Sequence, residues 1–218
     1  MDTKSAIQSI NESGVLLVFP IDNRKEIPSL WSHFYPRSKM RWEWDDDGDD
    51  RVARLWRLRE ELSRSNEVIY GKWFRGRATF FSKPVFTAML RLMNPEPRPE
   101  FALGADARKI LETLLMDSPL STRQLKRAVE LQGRFNEPTY NRALKELWSR
   151  LLAVAYGEID EGAFPSLAIG ATQILFEDLY REAFALDIPK AQAILQKRLA
   201  AGSPFLAFAD RLRKKCAD

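Results

Sequence analysis

Arginine, lysine and asparagine recur in the middle of this chain at spacings that suit contact with nucleic acid. Asn141, Arg142 and Lys145 fall on one side of a helical repeat, and Arg123 and Arg127 stand four residues apart upstream. Arginine pairs with guanine edges, asparagine with adenine, and lysine with phosphate. A second group, Lys72, Arg75 and Arg77, is interleaved with Trp73 and Phe74. Cations among aromatics suit base stacking and backbone contact, and a hairpin tip of this kind can probe a groove or wedge a base step. Each group also has a plainer reading. The first is a solvated helix face. In the second the aromatics are core and the cations keep a sheet edge soluble, and this reading is preferred because aromatics in strands usually pack.

Other chemistries lack their parts. His33 is the only histidine and Cys216 the only cysteine, so neither a zinc site nor a Ser-His-Asp set can be assembled. Glu43, Asp45, Asp47 and Gly48 match the opening of a calcium loop. Its twelfth position is Arg54, where a bidentate glutamate is needed. No glycine-rich phosphate loop is present. The expectation is no metal, no cofactor and no catalytic residue. The tryptophans at 31, 42, 44, 56, 73 and 148 leave open a ligand pocket at the seam between the N-terminal part and the middle of the chain.

The elements that must position these residues are read from periodicity and caps. Ala105–Met116 carries Ile110, Leu111, Leu114 and Leu115 on one face. Ser121-Thr122-Arg123-Gln124 is a capping box, and the helix it opens runs to Gly133. A third helix begins near Asn136, a good N-cap, with Pro138 in its first turn. Tyr140, Leu144, Leu147 and Leu151 form its apolar stripe, opposite Asn141, Arg142, Lys145 and Ser149. Residues 152–156 and 166–169 read as a strand pair. Three helices and a hairpin in this order describe a winged helix-turn-helix, which offers its third helix to a DNA major groove. One feature opposes that role. Glu158, Asp160 and Glu161 occupy the wing, with no lysine or arginine between Tyr156 and Ile169. Such a wing is repelled by phosphate, so it points away from DNA or the module binds protein.

Upstream, residues 1–13 are frayed or a short helix, 15–19 a buried strand, and 27–35 a helix. The acidic run 45–50 leads into a helix over 51–62, with Asp50 as its cap and Val52, Leu55, Trp56, Leu58 and Leu62 inward. Residues 67–82 form a hairpin turning at Arg75-Gly76, and a helix capped by Ser82 runs to Met93. Prolines alternate with polar residues over 94–100, a stiff linker. Helices fill 171–186, 188–201 and 205–214. The expected fold class is α+β: an N-terminal α+β domain over 1–93, a linker over 94–100, a winged helix over 101–170 and C-terminal helices over 171–218. The 34 basic and 30 acidic residues leave a net charge of +4, which permits DNA binding without requiring it. No apolar run approaches a membrane span of roughly 18 residues and no signal-peptide pattern opens the chain, so a cytoplasmic protein is expected.

Residues 54–62 (RLWRLREEL), 70–82 (YGKWFRGRATFFS) and 142–147 (RALKEL), and the order in which they occur, resemble a bacterial group related to the AlkZ-type winged-helix DNA glycosylases, which repair crosslinks. The resemblance covers most of 15–200. It implies a helix-turn-helix fold and duplex DNA as partner. Its catalytic motif, glutamine, any residue, then glutamine or aspartate, is matched by none of Gln8, Gln124, Gln132, Gln173, Gln192 and Gln196. The expectation is therefore a non-catalytic DNA-binding or DNA-repair-associated protein. The alternatives are a glycosylase with a divergent site, and a winged helix used for protein contact or homodimerisation.

Overall fold

Val68–Gly71 and Thr79–Ser82 do not alternate between apolar and polar residues, and every position in both is buried. Successive strand residues point to opposite faces, so a sheet containing these strands must be covered on both sides. The structure, a computed structural model, describes residues 2–24, 26–41, 50–160 and 165–217, with side chains described as far as residue 214.

Among the described residues the chain is α+β, with eleven α-helices and six strands. The N-terminal half holds α1 (Thr3–Ser13), β1 (Val15–Leu17), α2 (Leu30–Phe34), α3 (Asp50–Arg64), β2 (Val68–Gly71), β3 (Thr79–Ser82) and α4 (Lys83–Met93). Beyond the prolines come α5 (Ala105–Met116), β4 (Leu120–Ser121), α6 (Thr122–Ala128), α7 (Glu137–Ser149), β5 (Ala153–Ile159) and β6 (Ser166–Ala171). The last helices are α8 (Thr172–Leu175), α9 (Glu177–Ala185), α10 (Ile188–Arg198) and α11 (Pro204–Ala217). The strands form one antiparallel sheet ordered β1-β3-β2-β5-β6-β4. Tyr70 opposite Ala155 joins the strands before the prolines to those after them. The proline stretch itself passes into a 3-10 turn, Pro99–Ala102, with Asn94 and Pro99 buried.

Helices cover both faces of the hairpin strands. Phe80 and Tyr70 are cross-strand partners with rings 4.9 Å apart, and the Tyr70 hydroxyl accepts from Arg59 of α3. Phe81, on the opposite face, meets Phe86 of α4 at 5.8 Å. Between β2 and β3 the chain turns through Arg75 and Gly76, both at positive φ (53° and 72°). A side chain other than glycine pays for that geometry at Arg75, while Gly76 adopts it freely. Trp73 and Phe74 are buried under α11, where Phe208 lies 4.9 Å from each ring.

Several expected boundaries move. The first helix is continuous over Thr3–Ser13 because Asp2 caps it, accepting from the Ser5 amide at 2.7 Å. The helix expected over 171–186 is two, α8 and α9, broken at Phe176 (φ −135°, ψ 52°). Trp56 is 45% exposed rather than inward. The calcium-loop positions before Asp50, together with Trp42 and Trp44, lie outside the described residues. His33 shares a 2.7 Å hydrogen bond with the Ser9 hydroxyl.

Phe80 is fully buried in a strand flanked on both sides. Phe80→Ala should lower unfolding stability by about 3–5 kcal/mol. Urea titration followed by circular dichroism measures this, and a loss under about 1 kcal/mol contradicts the packing described.

Candidate nucleic-acid interface

Helix α7 is positioned by its apolar side. Tyr140, Ala143, Leu144, Leu147 and Trp148 are buried, and the helix packs on α5 and β5. Leu151, just past its end, completes the stripe and is 1% exposed. Asn141, Arg142 and Lys145 are consequently exposed. Among the described residues, neither cation has a carboxylate within salt-bridge distance.

The entry to α7 differs from expectation in detail. Asn136 occupies the cap position in an αR conformation, and its carboxamide donates to the Gln132 carbonyl at 2.9 Å instead of capping the helix. Glu137 does the electrostatic work at the positive end of the helix dipole. Lys126 Nζ donates to it at 2.5 Å, which holds the Glu137 carboxyl below the usual carboxylate range. The Lys126 ammonium also lies 4.8 Å from the Tyr140 ring centre. Burial, with the nearby Glu137 charge, pushes the Tyr140 hydroxyl upward.

Helix α6 is opened by the expected capping box. The Ser121 amide donates to Gln124 Oε1 at 2.8 Å, and the Gln124 amide donates to Ser121 Oγ at 3.1 Å. It ends at Ala128 rather than Gly133, because Glu130 enters the left-handed region (φ 58°). Arg123 and Arg127 are exposed, and neither has a carboxylate partner among the described residues. The Lys126–Glu137 bond ties this helix to the first turn of α7.

The hairpin cations Lys72, Arg75 and Arg77 are exposed. The turn Phe74–Gly76 packs against α7, so the structure brings the tip beside the third helix. Arg75 folds over Phe74, 5.2 Å from the ring centre. Burial around the Lys72 ammonium and the charge of Arg59 hold it below the ordinary lysine range, although the residue as a whole is exposed.

The residues that sequence reasoning missed lie under β5. Between Ala155 and Glu158 the β5–β6 register shifts. Gly157 sits in that bulge at φ 74°, with the Arg64 guanidinium where a Cβ would stand. A bulge re-aims the side chain after it. Glu158 therefore meets Arg59, and both side chains are largely buried (10% and 5% exposed). Arg59 Nη1 also donates to the Tyr70 hydroxyl at 3.3 Å, and its guanidinium lies 4.3 Å from the Trp56 ring centre. Burial opposes the Arg59 charge, but Tyr70 and Glu158 outweigh it, so its pKa is raised. Burial pushes the Tyr70 hydroxyl up. Arg64 Nη2 donates to the Glu158 carbonyl at 2.6 Å, and the Gly157 amide donates to Ser63 Oγ at 2.9 Å. The sequence did carry a signal: Arg59 lies four residues after Leu55, on the inward stripe of α3. Of the three acids expected in the wing, Glu158 is thus paired and Asp160 is exposed, while Glu161 lies outside the described residues.

Among known proteins, a family described as AlkZ related matches residues 1–203. No curated protein and no solved structure matches the chain.

Removing one member of a buried ion pair leaves the other uncompensated. Glu158→Ala should cost about 3–5 kcal/mol, and pairing Glu158→Leu with Arg59→Met should restore most of the loss. Denaturant melts of the single and double variants measure both. Equal losses in the two proteins contradict the pairing.

Proposed function

Because the chain belongs to the AlkZ-related family, we propose that it is a non-catalytic, DNA-repair-associated protein that binds duplex DNA. In this reading residues 101–170 form a winged helix, with α5, α6 and α7 as its helices and β5 and β6 as its wing. Helix α7 is the element offered to the major groove. The observation that carries the reading is the orientation of α7: its apolar stripe is buried, and Arg142 and Lys145 face solvent without carboxylate partners among the described residues. Arg123 and Arg127 on α6, and Arg75 and Arg77 at the hairpin tip, supply phosphate contacts. Pairing of Glu158 with Arg59 removes part of the wing's repulsion for phosphate. The same pairing occupies Glu158, so it is not free to act as a general base in base removal.

One observation favours a second reading, protein contact. Phe135, next to the cap of α7, is 95% exposed. An apolar side chain so placed suits a protein partner or a second copy. Light scattering that finds a stable dimer, with binding lost in Phe135→Ser, favours this reading over DNA.

Gel-shift titration on plain, mismatched and crosslinked duplexes tests the main proposal. Binding should weaken as salt rises. Arg142→Ala with Lys145→Ala should weaken it further on every sequence and lower the salt slope by about 1 for each phosphate no longer neutralised. A base-release assay on the same duplexes should yield no free base. Folded protein that shows no salt-dependent binding to any of them contradicts the proposal.

A further inference from the structure

Two arginines among the described residues are buried, Arg59 and Arg150 (4% and 7% exposed). Arg59 has Glu158 as its counter-charge. Arg150 has no carboxylate within salt-bridge distance among the described residues. Its Nη2 donates to the Ala102 carbonyl at 3.2 Å, and its Nε has no hydrogen-bond partner. Asn94 beside it is 1% exposed. The Asn94 carboxamide donates to the carbonyls of Leu90 and Arg150, both at 2.8 Å, and its Oδ1 has no partner. Arg150 follows the last residue of α7, so the negative end of the helix dipole offsets part of its charge. A partial charge does not replace the acceptor oxygens that a guanidinium fork is shaped to meet.

Both side chains line a cleft of about 670 Å³ where the ends of α4 and α7 meet α10 and α11. That volume lies within the range of small-molecule sites. Met93, Pro99 and Ile188 give it apolar wall, and the more exposed Arg213 and Lys214 add positive charge. Two carboxylates also line it. Asp210 is 3.8 Å from Arg213, and Glu96 is exposed. An unpaired buried cation is costly, and an anionic ligand is the partner that this arrangement lacks.

We propose that the cleft binds a small organic oxyanion, a carboxylate or phosphate monoester carried on an apolar body, with Arg150 gripping the oxygens. Met93, Pro99 and Ile188 take the ligand's apolar part. None of the cations assigned to DNA lines this cleft. The proposal therefore stands or falls apart from the DNA reading.

Calorimetric titration of the full chain with 1-naphthoate, 1-naphthyl phosphate and the neutral 1-naphthylmethanol tests it. At least one anion should bind about tenfold or more tightly than the alcohol, and the tighter anion identifies the head group. Arg150→Met should abolish the preference. Arg150→Lys, which keeps the charge but loses the fork, should weaken the anion while leaving the alcohol unchanged. If Arg150→Met does not fold, Ile188→Trp, which fills the cleft and leaves Arg150 in place, should weaken all three probes. Equal binding of alcohol and anions, a preference that survives loss of Arg150, or no anion binding by the folded chain overturns the proposal. So does displacement of the anion by a short duplex, which would assign the cleft to DNA.

Discussion

The rotation of α7 about its own axis is the constraint on which the rest depends. Each residue along a helix advances about 100° around it. Turning α7 by one position in one sense would bring Tyr140 and Leu144 toward water and carry Arg142 into the packing with α5 and β5, and in the other sense it would move Tyr140 and Leu147 outward and carry Lys145 in. Burying one leucine or tyrosine is worth about 1.5–3 kcal/mol, and burying an unpaired lysine costs several more. Hydrophobic packing therefore sets where the cations point. Their exposure results from the stripe behind them and needs no interaction of its own.

The charge of the β5–β6 segment differs in space from its charge as a string. Read along the chain, residues 158–161 are acidic and should repel phosphate. In three dimensions Gly157, at positive φ within a β-bulge, turns Glu158 into α3, where Arg59 meets it. Residues far apart in sequence (|i−j| = 99) thus neutralise each other, and the strand is tied to α3 through Ser63 and Arg64 as well. The charge that matters to an approaching polyanion is what remains after such pairing, and a linear count of acids overstates it.

What was legible in the sequence was local. The span of α5, the Ser121 capping box, the hairpin with its turn at Arg75-Gly76 and the apolar stripe of α7 all rest on interactions within a few residues, and periodicity and caps report those. The exposed cations were legible too, because a stripe fixes both faces of a helix. The features that were missed are non-local or conformational. The pairing of Tyr70 with Ala155, which makes one sheet of strands on either side of the prolines, leaves no mark in either strand alone. The early end of α6 depends on a left-handed Glu130, a residue that carries no such preference. Stripe counting places Trp56 inward, but it lies partly exposed, 4.3 Å from the Arg59 guanidinium and stacked 6.4 Å from Phe19. There the buried position on the stripe is held by a charged residue, Arg59, while the apolar one beside it stays partly exposed. The unpaired Arg150 was invisible for the same reason, since what it lacks is a partner in space.

The most direct measurement of the central claim is chemical-shift mapping of the isotope-labelled chain with a short duplex at low salt. Backbone and arginine side-chain signals of Asn141, Arg142 and Lys145 should move first and furthest, with those of Arg123, Arg127 and the Arg75–Arg77 tip moving next, and the buried stripe of α7 should hold still. Shifts confined to other surfaces, or an unchanged spectrum at saturating duplex, would contradict the assignment of α7 as the element that meets nucleic acid.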